Sequence, residues 1–248
     1  MIDVKNRELS GAYFVKRYMK ITFENYVRHL VSYLVAALIM IEITASAQEI
    51  DRGLWLNPSV VYKGLKKVDL ELSPELRWDQ DLTRLRTRQV DLKARYDLKR
   101  GYFAGMSLRL GAIQRNSGWQ PRQRIQFNGG KKWKPGDFRI GYTTKIQFTL
   151  SGQTRTRDAD LNSSFRNKLS LNYVRIKKFT PCVSYELFHG LSEEAFLQFQ
   201  DWRFILEGEY KINKRNSIGL GYLLQQQIRT GIDQRDKVIL INYQHTIP

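Results

Sequence analysis

Val90-Asp91-Leu92-Lys93-Ala94-Arg95-Tyr96-Asp97-Leu98 decides the fold: apolar side chains stand at every even position and charges at every odd one. Side chains of a β-strand point alternately to two faces, so this segment carries one oily surface and one ionic surface. The pattern recurs in Met106-Ser107-Leu108-Arg109-Leu110, Phe138-Arg139-Ile140-Gly141-Tyr142, Val183-Ser184-Tyr185-Glu186-Leu187 and Trp202-Arg203-Phe204. Repeated strands of this kind behind an export signal describe an all-β protein: a single-chain antiparallel transmembrane β-barrel in an outer membrane, with lipid outside and a polar interior.

The amino terminus supplies that signal. Lys16, Arg17, Lys20 and Arg28 precede an apolar run between Leu30 and Ile41, and Ala45-Ser46-Ala47 follows it before Gln48. A basic stretch, an apolar stretch too short to span and a small-x-small exit predict a signal peptide over residues 1–47, cleaved after Ala47, with Met19 as an alternative start. The barrel domain is then residues 48–248. Cys182 is the only cysteine, so no intramolecular disulfide and no lipid anchor at the new amino terminus are expected. With 26% charged residues and a mean hydropathy of −0.46, the chain excludes a bundle of membrane helices. The net charge is +17, of which residues 48–248 hold +15. These charges are spread through strands and turns without a basic helix or a recognisable nucleic-acid motif, so nucleic acid is not an expected partner.

Periodicity and turn signals predict eleven strand-like segments, near 54–63, 67–79, 87–98, 102–113, 122–130, 138–150, 165–176, 181–188, 201–211, 217–226 and 236–246. Asn128-Gly129-Gly130-Lys131-Lys132 has no phosphate-loop spacing and reads as a turn. Short links, many of them basic, alternate with longer polar links near 80–86, 114–121, 151–164, 189–200 and 227–235, as periplasmic turns and outer loops do in such barrels. Bacterial single-chain barrels usually have an even number of strands. The expected count is therefore twelve, with Gln48 to Val61 entering before the first strand, or ten as the alternative. Aromatic residues such as Tyr96, Tyr102, Tyr173, Phe179, Tyr210 and Tyr243 fall near predicted strand ends, where rings sit at the headgroup level. A soluble periplasmic ligand-binding barrel is the alternative fold, but about eleven strands enclose a lumen too wide to fill with one layer of apolar side chains.

Pro181-Cys182-Val183-Ser184-Tyr185-Glu186-Leu187-Phe188, preceded by Phe165 to Tyr173, resembles the uncharacterised outer-membrane barrels grouped as domain of unknown function 2490. Glu75-Leu76-Arg77, Arg124, Trp202-Arg203-Phe204 and the Lys-rich turn before Asn216-Ser217-Ile218 add to the likeness, which covers most of residues 54 to 246. The resemblance implies an outer-membrane barrel and no reaction. Pro248 departs from the terminal aromatic of many such barrels, and Tyr243 is the substitute.

With Val183, Tyr185 and Leu187 facing lipid, Ser184 and Glu186 face the lumen. The same parity predicts an interior charge network of Arg77, Arg95, Arg109, Arg139, Arg166, Lys168, Glu186, Arg203, Glu207 and Glu209, with Lys145 beside them. Charges of both signs in one lumen pair into ladders. The excess of bases makes any open path prefer anions. Catalysis has little to work with. Residues 48–248 contain only His189 and His245, and His189 lies about 16 Å along an extended strand from Ser184. The histidine-x-serine signature of a barrel phospholipase and the acidic pairs of a barrel protease are both missing. Asp158-Ala159-Asp160 and Glu193-Glu194 lack calcium-loop spacing, so no metal and no cofactor are expected. The sequence thus predicts a non-catalytic protein of the cell outer membrane, serving passage of small, preferably anionic, solutes or a structural partnership. Its expected partners are outer-membrane lipid, the barrel-assembly machinery during insertion, and an envelope protein met through the loops at 151–164 or 189–200. A barrel enzyme acting on lipid or peptide is the alternative.

Overall fold

The computed structural model describes residues 50–152, 160–191, 197–228 and 234–248. The predicted signal peptide and the acidic side chains Asp158, Glu193 and Glu194 lie outside them. Eleven strands are present among the described residues: β1 (Ile50–Leu65), β2 (Val68–Asp79), β3 (Arg84–Asp97), β4 (Tyr102–Arg115), β5 (Gly118–Trp133), β6 (Phe138–Ser151), β7 (Asp160–Tyr173), β8 (Phe179–Gly190), β9 (Phe199–Lys211), β10 (Asn216–Gln227) and β11 (Gln234–Ile247). Each pairs antiparallel with its sequence neighbour, and β1 pairs with β11 to close a barrel. Closure leaves no strand edge with unpaired backbone groups.

The count is eleven, neither the twelve nor the ten that the parity rule predicts. The described part of the stretch from Gln48 to Val61 is not a lead-in to the first strand, because residues from Ile50 onward already form β1. An odd number of strands brings the first and last together in the same direction. β1 and β11 are accordingly parallel, in unbroken register from Ile50↔Arg235 to Tyr62↔Ile247. At this seam Asn57 Nδ2 donates to Oδ1 of its register partner Asn242 at 3.1 Å, tying the two strands through side chains as well as backbone. Gly53 lets the strands approach: a Cβ there would sit 2.8 Å from the Trp78 carbonyl oxygen and 3.3 Å from Val238 Cγ2.

Two sequence readings of the links change. The predicted long link at 114–121 is a two-residue turn, since β4 runs to Arg115 and β5 starts at Gly118. Asn128 to Lys132 lies inside β5 rather than in a turn. Gly130 packs there beneath the Phe103 ring, which a Cβ would meet at 2.7 Å, and against the Tyr142 carbonyl oxygen. On the opposite rim, β1 and β2 are joined by Lys66 and Lys67 alone, with Lys67 in the left-handed region at φ 65°.

Polarity is inverted relative to a soluble core. Leu220 is 64% exposed and Leu169 55%, whereas Glu186 is 3% exposed and Asp91 5%. Along β3 the outward Val90, Leu92 and Tyr96 alternate with inward Gln89 and Asp91, as the opening stretch of sequence requires. A soluble barrel with hydrocarbon inside would show the reverse pattern. Tyr62, Tyr96, Tyr102, Trp133, Phe179, Tyr210 and Tyr243 are exposed near the rim where β1 ends. Only one interior patch is apolar among the described residues: Leu223, Val238 and Leu240, with Trp55 and Ile205 packed on them, line the wall beside the seam.

Candidate functional site

The lumen holds two polar cavities of about 480 and 410 Å³. Six residues line both and therefore mark the waist between them: Trp55, Arg77, Arg109, Arg124, Arg166 and Arg203. Five of the six carry a guanidinium. They come from β1, β2, β4, β5, β7 and β9, so the waist draws on strands around the barrel.

Two ion-pair clusters brace it. On β2 to β4, Arg109 forks onto its register partner Asp91, with Nε 2.5 Å from Oδ1 and Nη2 2.6 Å from Oδ2. Arg109 Nη2 also reaches Glu75 Oε2 at 3.5 Å, and Glu75 accepts from Arg77 and Gln89. On β6 to β8, Arg166 donates through Nη2 to Glu186 Oε2 at 2.8 Å and through Nη1 to Gln147 Oε1 at 2.9 Å. Lys145 Nζ approaches Glu186 Oε1 at 3.3 Å. Bidentate and charge-assisted bonds of this kind fix side-chain geometry as well as adding energy.

Aromatic faces link the clusters. The Arg77 guanidinium lies 3.7 Å from the centre of the Trp55 ring, and that of Arg203 lies 5.5 Å from it. Arg203 also sits 4.7 Å from the Phe188 ring, whose face Arg166 approaches at 4.4 Å. Arg77, Trp55, Arg203, Phe188 and Arg166 thus form a continuous cation–aromatic chain. Trp55 and Arg203 are on strands separated by β10 and β11, so the chain bridges the lumen at that point. Each contact is worth roughly 0.5–2 kcal/mol, more as water is excluded.

Eight of the ten residues predicted for the interior network line the cavities: Arg77, Arg109, Arg166, Lys168, Glu186, Arg203, Glu207 and Glu209. Arg95 and Arg139 line neither. Arg95 pairs with Asp97 at 2.6 Å and covers the Phe103 ring, and Arg139 is exposed where β6 begins. Sequence reasoning left out Trp55, Glu75, Asp91, Arg122, Arg124 and Phe188. Parity held the signal for four of them: Glu75 shares a face with Arg77, Asp91 with Arg95, Phe188 with Glu186, and Arg122 with Arg124. Ser184 and Glu186 face the lumen, whereas His189 packs outside between the rings of Phe165 and Phe199, at 6.4 and 6.0 Å. These three side chains do not come together. Among the described residues no group of three or more His, Cys, Asp or Glu side chains is placed to hold a metal ion.

The family described as "Protein of unknown function (DUF2490)" matches residues 52–236. No curated protein matches the chain. Solved structures that resemble it include the β domain of the Bordetella autotransporter BrkA, at 12% identity and a TM-score of 0.42, covering 73% of this chain and 82% of that one. The NanC porin is similar at 12% identity and a TM-score of 0.43, covering 71% of this chain and 83% of its own. A bacterial polysaccharide outer membrane secretin matches at 8% identity and a TM-score of 0.39, covering 70% and 72%.

Proposed function

This chain belongs to the family Protein of unknown function (DUF2490), and from that membership and the architecture of its lumen we propose that it is an outer-membrane barrel passing small anions. The strands run 12–16 residues, beyond the roughly 9–11 that a tilted strand needs to cross a bilayer. Their outward leucines, isoleucines and tyrosines match the solvent that hydrocarbon provides. Short turns on the rim where β11 ends face the periplasm in this reading, and the opposite rim faces outward. The envelope partners that follow are outer-membrane lipid and the machinery that inserts barrels.

One observation carries the anion preference: the residues shared by the two cavities are five arginines and a tryptophan, with no carboxylate among them. Rings of basic side chains select anions by the potential they impose at a constriction. Catalysis is not part of the proposal. A second reading, a structural barrel filled by its own ion pairs, draws support from the bracing of Arg109 and Arg166 by buried carboxylates. Reversal potentials in a planar bilayer under a potassium chloride gradient separate the two. The expected result is a shift to the chloride side, reduced in Arg124→Gln. A purified, folded protein without conductance overturns the passage reading in favour of the structural one.

A further inference from the structure

Arg122 and Arg124 stand apart from the other deep arginines. Arg77, Arg109 and Arg166 each meet a carboxylate, Glu75, Asp91 and Glu186 respectively, while Arg203 donates to Gln225 Oε1 at 2.6 Å and lies in the field of Glu186 and Asp201. Among the described residues, no carboxylate lies within ion-pair distance of Arg122 or Arg124. Among the described residues the Arg124 side chain spends only Nε, donating to Thr149 Oγ1 at 3.1 Å, and the Arg122 side chain has no hydrogen-bond partner. The strongest charges acting on Arg124 come from Arg122, Arg109, Arg166 and Arg77, all of its own sign. Those acting on Arg122 come from Arg77, Arg109, Arg86 and Arg115, again all cations. Register worsens the repulsion, because Arg124 lies directly opposite Arg109.

We infer that Arg122 and Arg124 form a binding site for a phosphate-type oxyanion, the acidic group of a phosphorylated solute, on the inward face of β5. Both side chains leave that face two residues apart, about 6.6 Å along the strand, a separation that long side chains close onto one group. Two guanidinium forks, with N–H groups unspent among the described residues, match several acidic oxygens on one tetrahedral centre, and the bound anion supplies the countercharge that no described carboxylate provides. Chloride offers one charge and no fork geometry. Both residues line the cavity toward the long-loop rim, and Arg124 also lines the waist, so a bound anion would pause where the path narrows. The place of this site on a route rests on the anion-passage reading; its existence as a binding site does not.

Calorimetric titration of inorganic phosphate into the full chain, folded in detergent, tests the site. Saturable binding is expected in the wild type, weakened at least about tenfold in both Arg122→Gln and Arg124→Gln, with Arg124→Lys intermediate because it keeps charge and loses the fork. Arg139→Gln, at the exposed opposite rim, should bind as the wild type does. Phosphate binding that is absent, unchanged in both glutamine variants, or displaced equally by chloride at matched ionic strength overturns the site. Block of chloride current by phosphate in bilayers then addresses the path separately: binding without current keeps the site and removes the passage, and anion-selective current without binding does the opposite.

Discussion

Glu186→Gln tests how dry the waist is. The Glu186 side chain is 4% exposed and holds Arg166, 9% exposed, and Lys145, 20% exposed. Glutamine keeps nearly the same shape and one acceptor for Arg166, but nothing then neutralises two cations in a confined space. Leaving a buried charge without its partner costs about 3–5 kcal/mol, and a charge-assisted hydrogen bond alone contributes about 1.5–3. The flanking cavities admit water, so the expected loss is near the overlap, roughly 3 kcal/mol. Glu71→Gln is the matched comparison: Glu71 and Lys93 are 2.7 Å apart but 30% and 39% exposed, and such a pair contributes at most about 1 kcal/mol. Equilibrium unfolding in urea from lipid vesicles, followed by tryptophan fluorescence, measures both. Losses equal within about 0.5 kcal/mol would refute the reasoning, because Glu186 would then sit in bulk-like water and the waist would not confine its charges.

Leu220→Arg probes the outer solvent: at mid-strand in a bilayer it should destabilise the barrel by about 2–4 kcal/mol, whereas on an aqueous surface the change stays within about 0.5. Unfolding from vesicles reads the difference, and a neutral result removes lipid from the outer face. The parallel seam makes a topological prediction. In a Cys182→Ser background, cysteines placed at Arg52, near the start of β1, and at Lys214, in the turn between β9 and β10, should react with a membrane-impermeant maleimide from opposite sides of the membrane. Labelling of both from one side of intact cells contradicts the eleven-stranded closure.

Much of the strand pattern was legible because alternation is a local property. Each of the eleven predicted segments corresponds to one strand, and distance along the strand already separated His189 from Ser184. What stayed hidden depends on partners distant in sequence. Closure joins Asn57 to Asn242 across 185 residues, and no nearby residue announces it. Parity rules, applied to an odd count that was itself accurate, pushed the expectation to twelve. Pairing was equally opaque, since the register that sets Asp91 against Arg109 gives Arg124 only Thr149 and another arginine. The turn at Asn116-Ser117 is closed by Gly118 at φ 102°, a backbone angle that no local pattern displays, so a two-residue turn there looked like a longer polar link.

The odd closure also shapes the field inside. Strands at and beside the seam contribute Val238, Leu240, Leu223 and Trp55 to the lumen wall, while β2 to β8 contribute the ion-pair clusters and Arg122 and Arg124, which meet no carboxylate among the described residues. An apolar wall cannot solvate an ion, and low-dielectric surroundings lengthen the reach of charges facing it. Around the apolar patch the seam side also carries polar groups, Asn57, Gln225, Asp236 and Asn242, and the fifth waist guanidinium, Arg203 of β9. Trp55 joins the two halves: it belongs to the apolar wall by packing and to the charged one through Arg77 and Arg203 on its ring. Replacing it with an aliphatic residue would leave the wall apolar but free both arginines, so the position demands an aromatic ring rather than mere bulk.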